Sequence, residues 1–251
     1  MHRPLTAAFA MLVDSLDGSF EEHGTHASAR CSALPIPGAN GILDHGADER
    51  PVVEAIGPML EAIAADGTPP WLVTFEGRDA VLAEAGQLGL HADTTNAGMV
   101  LERDAFRPTS PPAGVTVTSA TEAEQLDAAG RLFAEAFELP IELFAPLYDP
   151  AYVGRVDAQV FLVLDRDDPV STAISWPVGD DTGIFSVATP ERFRGHGFGA
   201  VATSAAIRAG FDVGSPRAFL QASAMGEGIY RQLGFREVSR YLFLGRGDAD
   251  G

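Results

Sequence analysis

Two hundred and fifty-one residues exceed what one minimal domain needs and are about enough for two of ordinary size. Apolar residues make up 46% of them, ample for packed cores, and no stretch is polar enough to stay natively disordered. Thirty-five acidic side chains face seventeen basic ones, all arginine; the net charge of −18 repels phosphate backbones, which sets aside nucleic acid and favours cationic small molecules or basic peptides.

Leu5 to Leu16 has helical period and is apolar as far as Val13. Asp14 and Asp17 follow with no small-residue cleavage site, which argues against a signal peptide. The single cysteine, Cys31, excludes an internal disulfide framework and a Cys-rich zinc module, and reads as an ordinary thiol of a reducing compartment. Ala33 to Leu43 reads as extended, Pro51 to Ala65 as a strongly amphipathic helix, Trp71 to Phe75 as a strand, Ala80 to Leu88 as a helix and Met99 to Leu101 as a strand. No run approaches the ~18 apolar residues of a membrane span, so a soluble, cytoplasmic protein is expected. Three prolines and a glycine between Arg107 and Gly114 mark a linker. The expected organisation is a domain over 1–106, the linker 107–114 and a domain over 115–251.

The second domain alternates strands and helices. Val115 to Thr118 is a strand; Thr121 to Ala136 is a helix opened by a Thr121/Glu124 capping box; Ile141 to Tyr148 is a short helix. Val160–Leu164, Val170–Trp176 and Gly183–Thr189 are strands joined by Asp-rich turns too short for anything but antiparallel neighbours. A helix from Gly199 to about Gly210, a strand Phe219–Ser223, a helix Gly226–Leu233 and a strand Val238–Leu244 complete it. The class is α/β, a mixed sheet with helices on both faces. The first half also ends strand–helix–strand, a hint of duplication.

Val187 to Ala200 is the most informative segment. Gly195, Gly197 and Gly199 alternate between a β-type and a helical run, with Arg192 and Arg194 beside them. Missing side chains let backbone N–H groups close on a phosphate or pyrophosphate, and the helix adds its positive end. Gly195-x-Gly197-x-x-Ala200 fits the dinucleotide pattern literally. Its context does not, because Pro190 to Arg194 separate strand from glycines and the next strand ends Gln221-Ala222-Ser223 without an acid. A P-loop is excluded by the lack of any lysine.

Arg194-x-x-Gly197-x-Gly199, with Tyr230 preceding Leu233-Gly234-Phe235, resembles the GNAT superfamily of acyl-CoA-dependent N-acyltransferases over Val115 to Leu244. The resemblance implies a tandem GNAT fold whose amino-terminal repeat is degenerate and, having no Gly-rich loop, holds no second coenzyme. It implies acetyl-CoA as co-substrate, no metal, and a small-molecule or peptide amine as acceptor, in a monomer or homodimer. Backbone groups of Val187, Ala188 and Thr189 would pair with the pantetheine arm. The N–H groups of Gly195, His196, Gly197, Phe198, Gly199 and Ala200 would hold the pyrophosphate, with charge from Arg194. Ser223 stands where the family often has Asn at the coenzyme. The Val187 N–H would meet the tetrahedral oxyanion, and Tyr230 would protonate the departing thiolate as general acid.

The general base is open. Ile184 to Thr189 holds no acid, and Asp180, Asp181, Glu135, Glu138, Glu142 or a water relay could serve. Trp176-Pro177 would line the acceptor cleft. His23 and His26 beside Glu21 and Glu22 are too loosely spaced to read as a metal site. A non-catalytic acyl-CoA-binding module is the alternative.

Overall fold

The structure, a computed structural model, describes residues 2–246 apart from 35, 37, 38 and 66. The chain divides into two compact units, residues 1–98 with 238–251, and residues 99–237.

The first unit holds α1 (His2–Ser15), β1 (Ser19–Glu22), β2 (His26–Arg30), β3 (Gly41–Asp44), α2 (Arg50–Ala64), β4 (Trp71–Phe75), α3 (Asp79–Gln87) and the start of β5 (His91–Glu102). The extended stretch expected over Ala33–Leu43 is a strand only from Gly41, and residues 35, 37 and 38 of it lie outside the described residues. The strands Ser19–Glu22 and His26–Arg30 escape the pattern because neither carries the β-branched or aromatic runs that mark a strand. β1, β2 and β3 form an antiparallel meander, and β3 pairs parallel with β4 through the α2 crossover.

Packing follows side-chain parity. Leu72 of β4 lies beside Leu244 near the chain end, and both join Ile42 and the α2 stripe Val52, Ile56 and Leu60. Val73 and Phe243 point the other way and bury against Leu5 of α1.

The second unit holds β6 (Val115–Ala120), α4 (Ala123–Phe137), α5 (Pro150–Arg155), β7 (Gln159–Asp165), β8 (Asp168–Val178), β9 (Asp181–Ala188), α6 (Phe198–Asp212), β10 (Arg217–Ala222), α7 (Glu227–Leu233) and the first residues of β11 (Arg236–Gly245), which ends in the first unit. Its strand order is β10-β9-β8-β7-β6. β6 to β9 form an antiparallel meander; β10 returns parallel to β9 through α6. This is the expected mixed sheet.

Three local expectations are corrected. The α4 cap uses Gln125, whose side chain accepts from the N–H of Glu122 (3.2 Å) and Thr121 (3.0 Å), so the reciprocal pair sits one residue later than Thr121/Glu124. Ile141–Tyr148 is two 3-10 turns, Ile141–Leu143 and Ala145–Tyr148, and Pro146 in the second removes a donor that a continuous helix would need. A short helix, α5, follows them, capped by the Asp149 carboxylate on the N–H groups of Ala151 and Tyr152.

The proline-bearing segment 107–114 lies within the second unit. The Thr109 N–H bonds Ser204 of α6 at 3.0 Å, and just upstream the Arg103 guanidinium bonds the Phe211 and Ser215 carbonyls. These bonds fasten the segment to α6.

Candidate functional site

The site begins where β9 leaves its neighbours. In the β8–β9 ladder Ile174 faces Phe185 and Thr172 faces Ala188, so two residues, Ser186 and Val187, oppose Ala173. This is a β-bulge, and Ser186 adopts a left-handed backbone with φ of 49°. On its other side β9 pairs with β10 only at Thr182–Ala218 and Gly183–Phe219. From Gly183 to Ala188 the strands part, leaving about 16 Å of β9 edge without a β10 partner. Val187, Ala188 and Thr189 lie at the end of that edge.

Thr189 leads through Pro190 and a 3-10 turn, Glu191–Phe193, into the glycine loop. Gly195 and Gly197 have φ of 82° and 80°, a conformation in which a side chain is strained. Gly197 is the N-cap of α6 and offers no side-chain cap. The first intrahelical bond runs from Val201 N–H to the Gly197 carbonyl at 3.1 Å, so the N–H groups of Phe198, Gly199 and Ala200 have no partner within the helix. Gly199 is needed for proximity: a Cβ there would lie 3.2 Å from Thr189 Oγ1 and 3.8 Å from Ile229 Cδ1 of α7. Strand end, helix start and α7 therefore meet at one glycine.

Arg194 is half-buried and binds backbone: Nε donates to the Thr189 carbonyl and Nη2 to the Ala136 carbonyl, both at 3.2 Å. It stitches the loop to the strand end and to α4. Arg192 ion-pairs with Glu135 and lies over the Phe193 ring. His196 is exposed, holds the Arg194 carbonyl through Nδ1 at 2.9 Å and stacks on Phe198 with centroids 5.5 Å apart.

Tyr230 sits on α7 and is 8% exposed, its ring edge-on to Phe235 at 5.9 Å. Burial pushes its phenol well above the usual value, so it stays protonated through the neutral range. Ser223 follows β10 directly; its side chain is exposed and its carbonyl accepts the N–H of Gly226 (2.9 Å) and Glu227 (3.1 Å), fixing the turn into α7.

The Acetyltransferase (GNAT) family model matches residues 126–235, which span the bulge, the glycine loop and Tyr230. Over these residues the chain is similar to a GNAT acetyltransferase domain. The whole chain also has solved structural neighbours. A GCN5-related N-acetyltransferase from Kribbella flavida is 22% identical with a TM-score of 0.74, covering 98% of this chain and 96% of that one. A GCN5-related N-acetyltransferase from Sphaerobacter thermophilus is 15% identical with a TM-score of 0.65, covering 82% and 71%. A tandem GNAT protein from the clavulanic acid biosynthesis pathway is 15% identical with a TM-score of 0.63, covering 93% and 80%. At these identities the likeness is one of fold. No curated protein matches the sequence.

The acids that could serve as a general base do not gather at the bulge. Asp181 is buried and holds Arg217 through two bonds of 3.0 and 2.9 Å at the opposite end of β9, about 20 Å from Val187 along the strand. Asp180 is exposed in the turn before it, and Glu138 and Glu142 are exposed beyond α4. Glu135 is taken by Arg192. Among the described residues no group of three or more His, Cys, Asp or Glu is placed to hold a metal, and no helix is long and apolar enough to cross a membrane. A cleft of about 480 Å³ in this domain lies along α6 by Thr109 and Phe161, away from the bulge.

Sequence reasoning missed Tyr148 and the bulge. The Tyr148 ring packs on Gly130 of α4, and its buried hydroxyl approaches Ser186 short of good hydrogen-bond geometry. Burial raises its pKa, and Ser186 moderates the rise. No glycine or proline marks Ser186, so nothing in the pattern announces its backbone.

Proposed function

We propose that the protein is an acetyl-CoA-dependent N-acetyltransferase whose GNAT domain performs the chemistry, the first unit being a GNAT-like repeat without a coenzyme site. The observation that carries this is the parted, bulged end of β9 running into an uncapped α6 through two left-handed glycines. The exposed β9 edge at Val187, Ala188 and Thr189 fits an extended amide-bearing arm as an added strand would. The N–H groups of residues 195–200 and the positive end of α6 fit a pyrophosphate. Arg194, bonded to two carbonyls, contributes chiefly by fixing the loop's shape, and Ser223 by fixing the turn before Tyr230.

An uncharged amine attacks the thioester carbonyl directly, and the Val187 N–H, turned out of the ladder by the bulge, takes the developing oxyanion. Tyr230 gives its proton to the leaving thiolate. The water-poor surroundings that keep the phenol protonated also raise the proton affinity of a nascent thiolate, which makes the transfer feasible. The acceptor is an amine of a small molecule or peptide, which a chain of net charge −18 attracts, and the setting is cytoplasmic. The remoteness of the candidate carboxylates leaves proton removal from the amine to water, and favours the second reading, an acyl-CoA-binding module without turnover. Coenzyme A release from acetyl-CoA across an amine panel, run beside a thermal-shift titration, separates the two. Turnover on at least one amine is expected; a thermal shift with no turnover on any would establish the second reading instead.

A further inference from the structure

Two donors on one face of the opened strands have nothing to bond. Trp176 Nε1 and Gln221 Nε2 are buried and find no hydrogen-bond partner among the described residues, whereas about nine buried polar groups in ten are paired. Trp176 pairs with Gly183 across β8–β9, Gly183 pairs with Phe219 across β9–β10, and Gln221 follows Phe219 by two residues. All four positions therefore share a face. Two ladder spacings, about 10 Å, and two residues of rise, about 7 Å, separate the backbones of Trp176 and Gln221, a span that side chains and a small molecule can bridge. Between them lies an aromatic floor. Trp176 meets Phe185 at 5.6 Å between centroids and Phe185 meets Phe219 at 6.0 Å, both edge-on. Gly183 admits the Phe185 ring, which would come within 2.2 Å of a Cβ there.

The Trp176 indole N–H can only donate and calls for an oxygen acceptor, and the Gln221 amide can turn its NH₂ to the same oxygen. The charge on that oxygen follows from what surrounds it. β8 and β9 contain no arginine, and the one arginine of β10, Arg217, is paired with Asp181. In the adjoining loop Arg192 is paired with Glu135 and Arg194 with two carbonyls. A carboxylate held by neutral donors alone would keep most of its desolvation cost, whereas a carbonyl oxygen would not.

We propose that the amine accepted by this site carries an uncharged carbonyl oxygen, as an amino-acid amide or a peptide N-terminus does, held by Trp176 and Gln221, with an aromatic or apolar side group on the Phe185–Phe219 floor. This rests on the acetyltransferase reading above.

Phenylalaninamide, phenylalanine and 2-phenylethylamine share a skeleton and carry an amide carbonyl, a carboxylate or neither; rates are compared per uncharged amine, because the α-carbonyl also lowers the basicity of the amine. Coenzyme A release is measured for each with the full chain, and coenzyme A binding by calorimetry in parallel. The amide should exceed 2-phenylethylamine about tenfold in kcat/KM, with phenylalanine lowest. Trp176→Phe and Gln221→Leu should each bring the amide-to-phenylethylamine ratio toward one, through KM rather than kcat. Gln221→Leu should not lower Tm, because an unpartnered donor adds no stability, whereas Trp176→Phe also removes packed ring atoms and is judged on the ratio. Equal rates for amide and phenylethylamine, a preference for the carboxylate, or variants that lose Tm and keep the ratio would overturn the inference. Turnover of other amines but none of these three would do so too, and would leave the acetyltransferase reading standing. No coenzyme binding, or no turnover on any amine, would remove that reading and the inference with it.

Discussion

Each unit contains a crossover in which two parallel strands flank a helix, β3–α2–β4 in the first and β9–α6–β10 in the second. Their strand ends are finished in opposite ways. In the first, Gly41, Ile42 and Leu43 pair with Trp71, Leu72 and Val73, and the next residue, Asp44, is buried. Its carboxylate accepts from Thr74 Oγ1 at 2.7 Å and from Arg78 at 2.8 and 2.7 Å, while Arg78 also donates to the Ala47 and Asp48 carbonyls in the loop entering α2. Side chains fill the end, and its buried acid and guanidinium are spent on each other. In the second, the strands part and the loop entering α6 has glycines where the first has a plug. The same connection can be sealed by an ion pair or left open by glycine, and only the open form presents backbone donors to an anion.

Breaking the sealed end should give the largest effect. Arg78→Ala strands the buried Asp44 carboxylate and should cost about 3–5 kcal/mol in chemical denaturation; a loss below about 1 kcal/mol would mean the pair is not what closes this end. At the open end, Tyr230→Phe should lower kcat about a hundredfold and leave acetyl-CoA affinity unchanged if, as proposed, the phenol protonates the leaving sulfur. An unaltered kcat in steady-state kinetics would reduce Tyr230 to a packing residue. Gly197→Val forces a branched side chain to a φ of 80°; it should weaken coenzyme A binding about tenfold, with circular dichroism retained. Undiminished affinity would place the diphosphate elsewhere.

The mildest effect is shared by both units. Burial raises the pKa of Tyr148, Tyr230 and Tyr241 above the ordinary value near 10. The unfolded chain therefore loses these protons first as pH rises. Stability from this source is whole below about pH 10 and falls above it toward the raised folded values. Thermal unfolding scanned from pH 8 to 11 should show no loss from this cause until about 10; constant Tm through pH 11 would show the rings are reached by solvent.

Legibility followed the same divide. In the second unit, regular runs such as Val160–Leu164 and Val170–Trp176 carry strong alternation or β-branched content, and the glycines at 195, 197 and 199 stand within five residues of one another, so fold and loop were readable. In the first, Ser19–Glu22 and His26–Arg30 are strands by virtue of their neighbours, and the Asp44–Arg78 pair joins residues 34 apart. Long-range pairing leaves no local trace. The bulge at Ser186 and the burial of Trp176 and of the Gln221 amide nitrogen are invisible for the same reason, being properties of register between strands.

The contrast between the two strand ends is tested most directly by calorimetric titration of the full chain with coenzyme A. One equivalent should bind per chain, and Gly197→Val should weaken that single site. Two equivalents would show that the plugged end is no barrier, and no heat of binding at all would contradict the reading of the glycine loop.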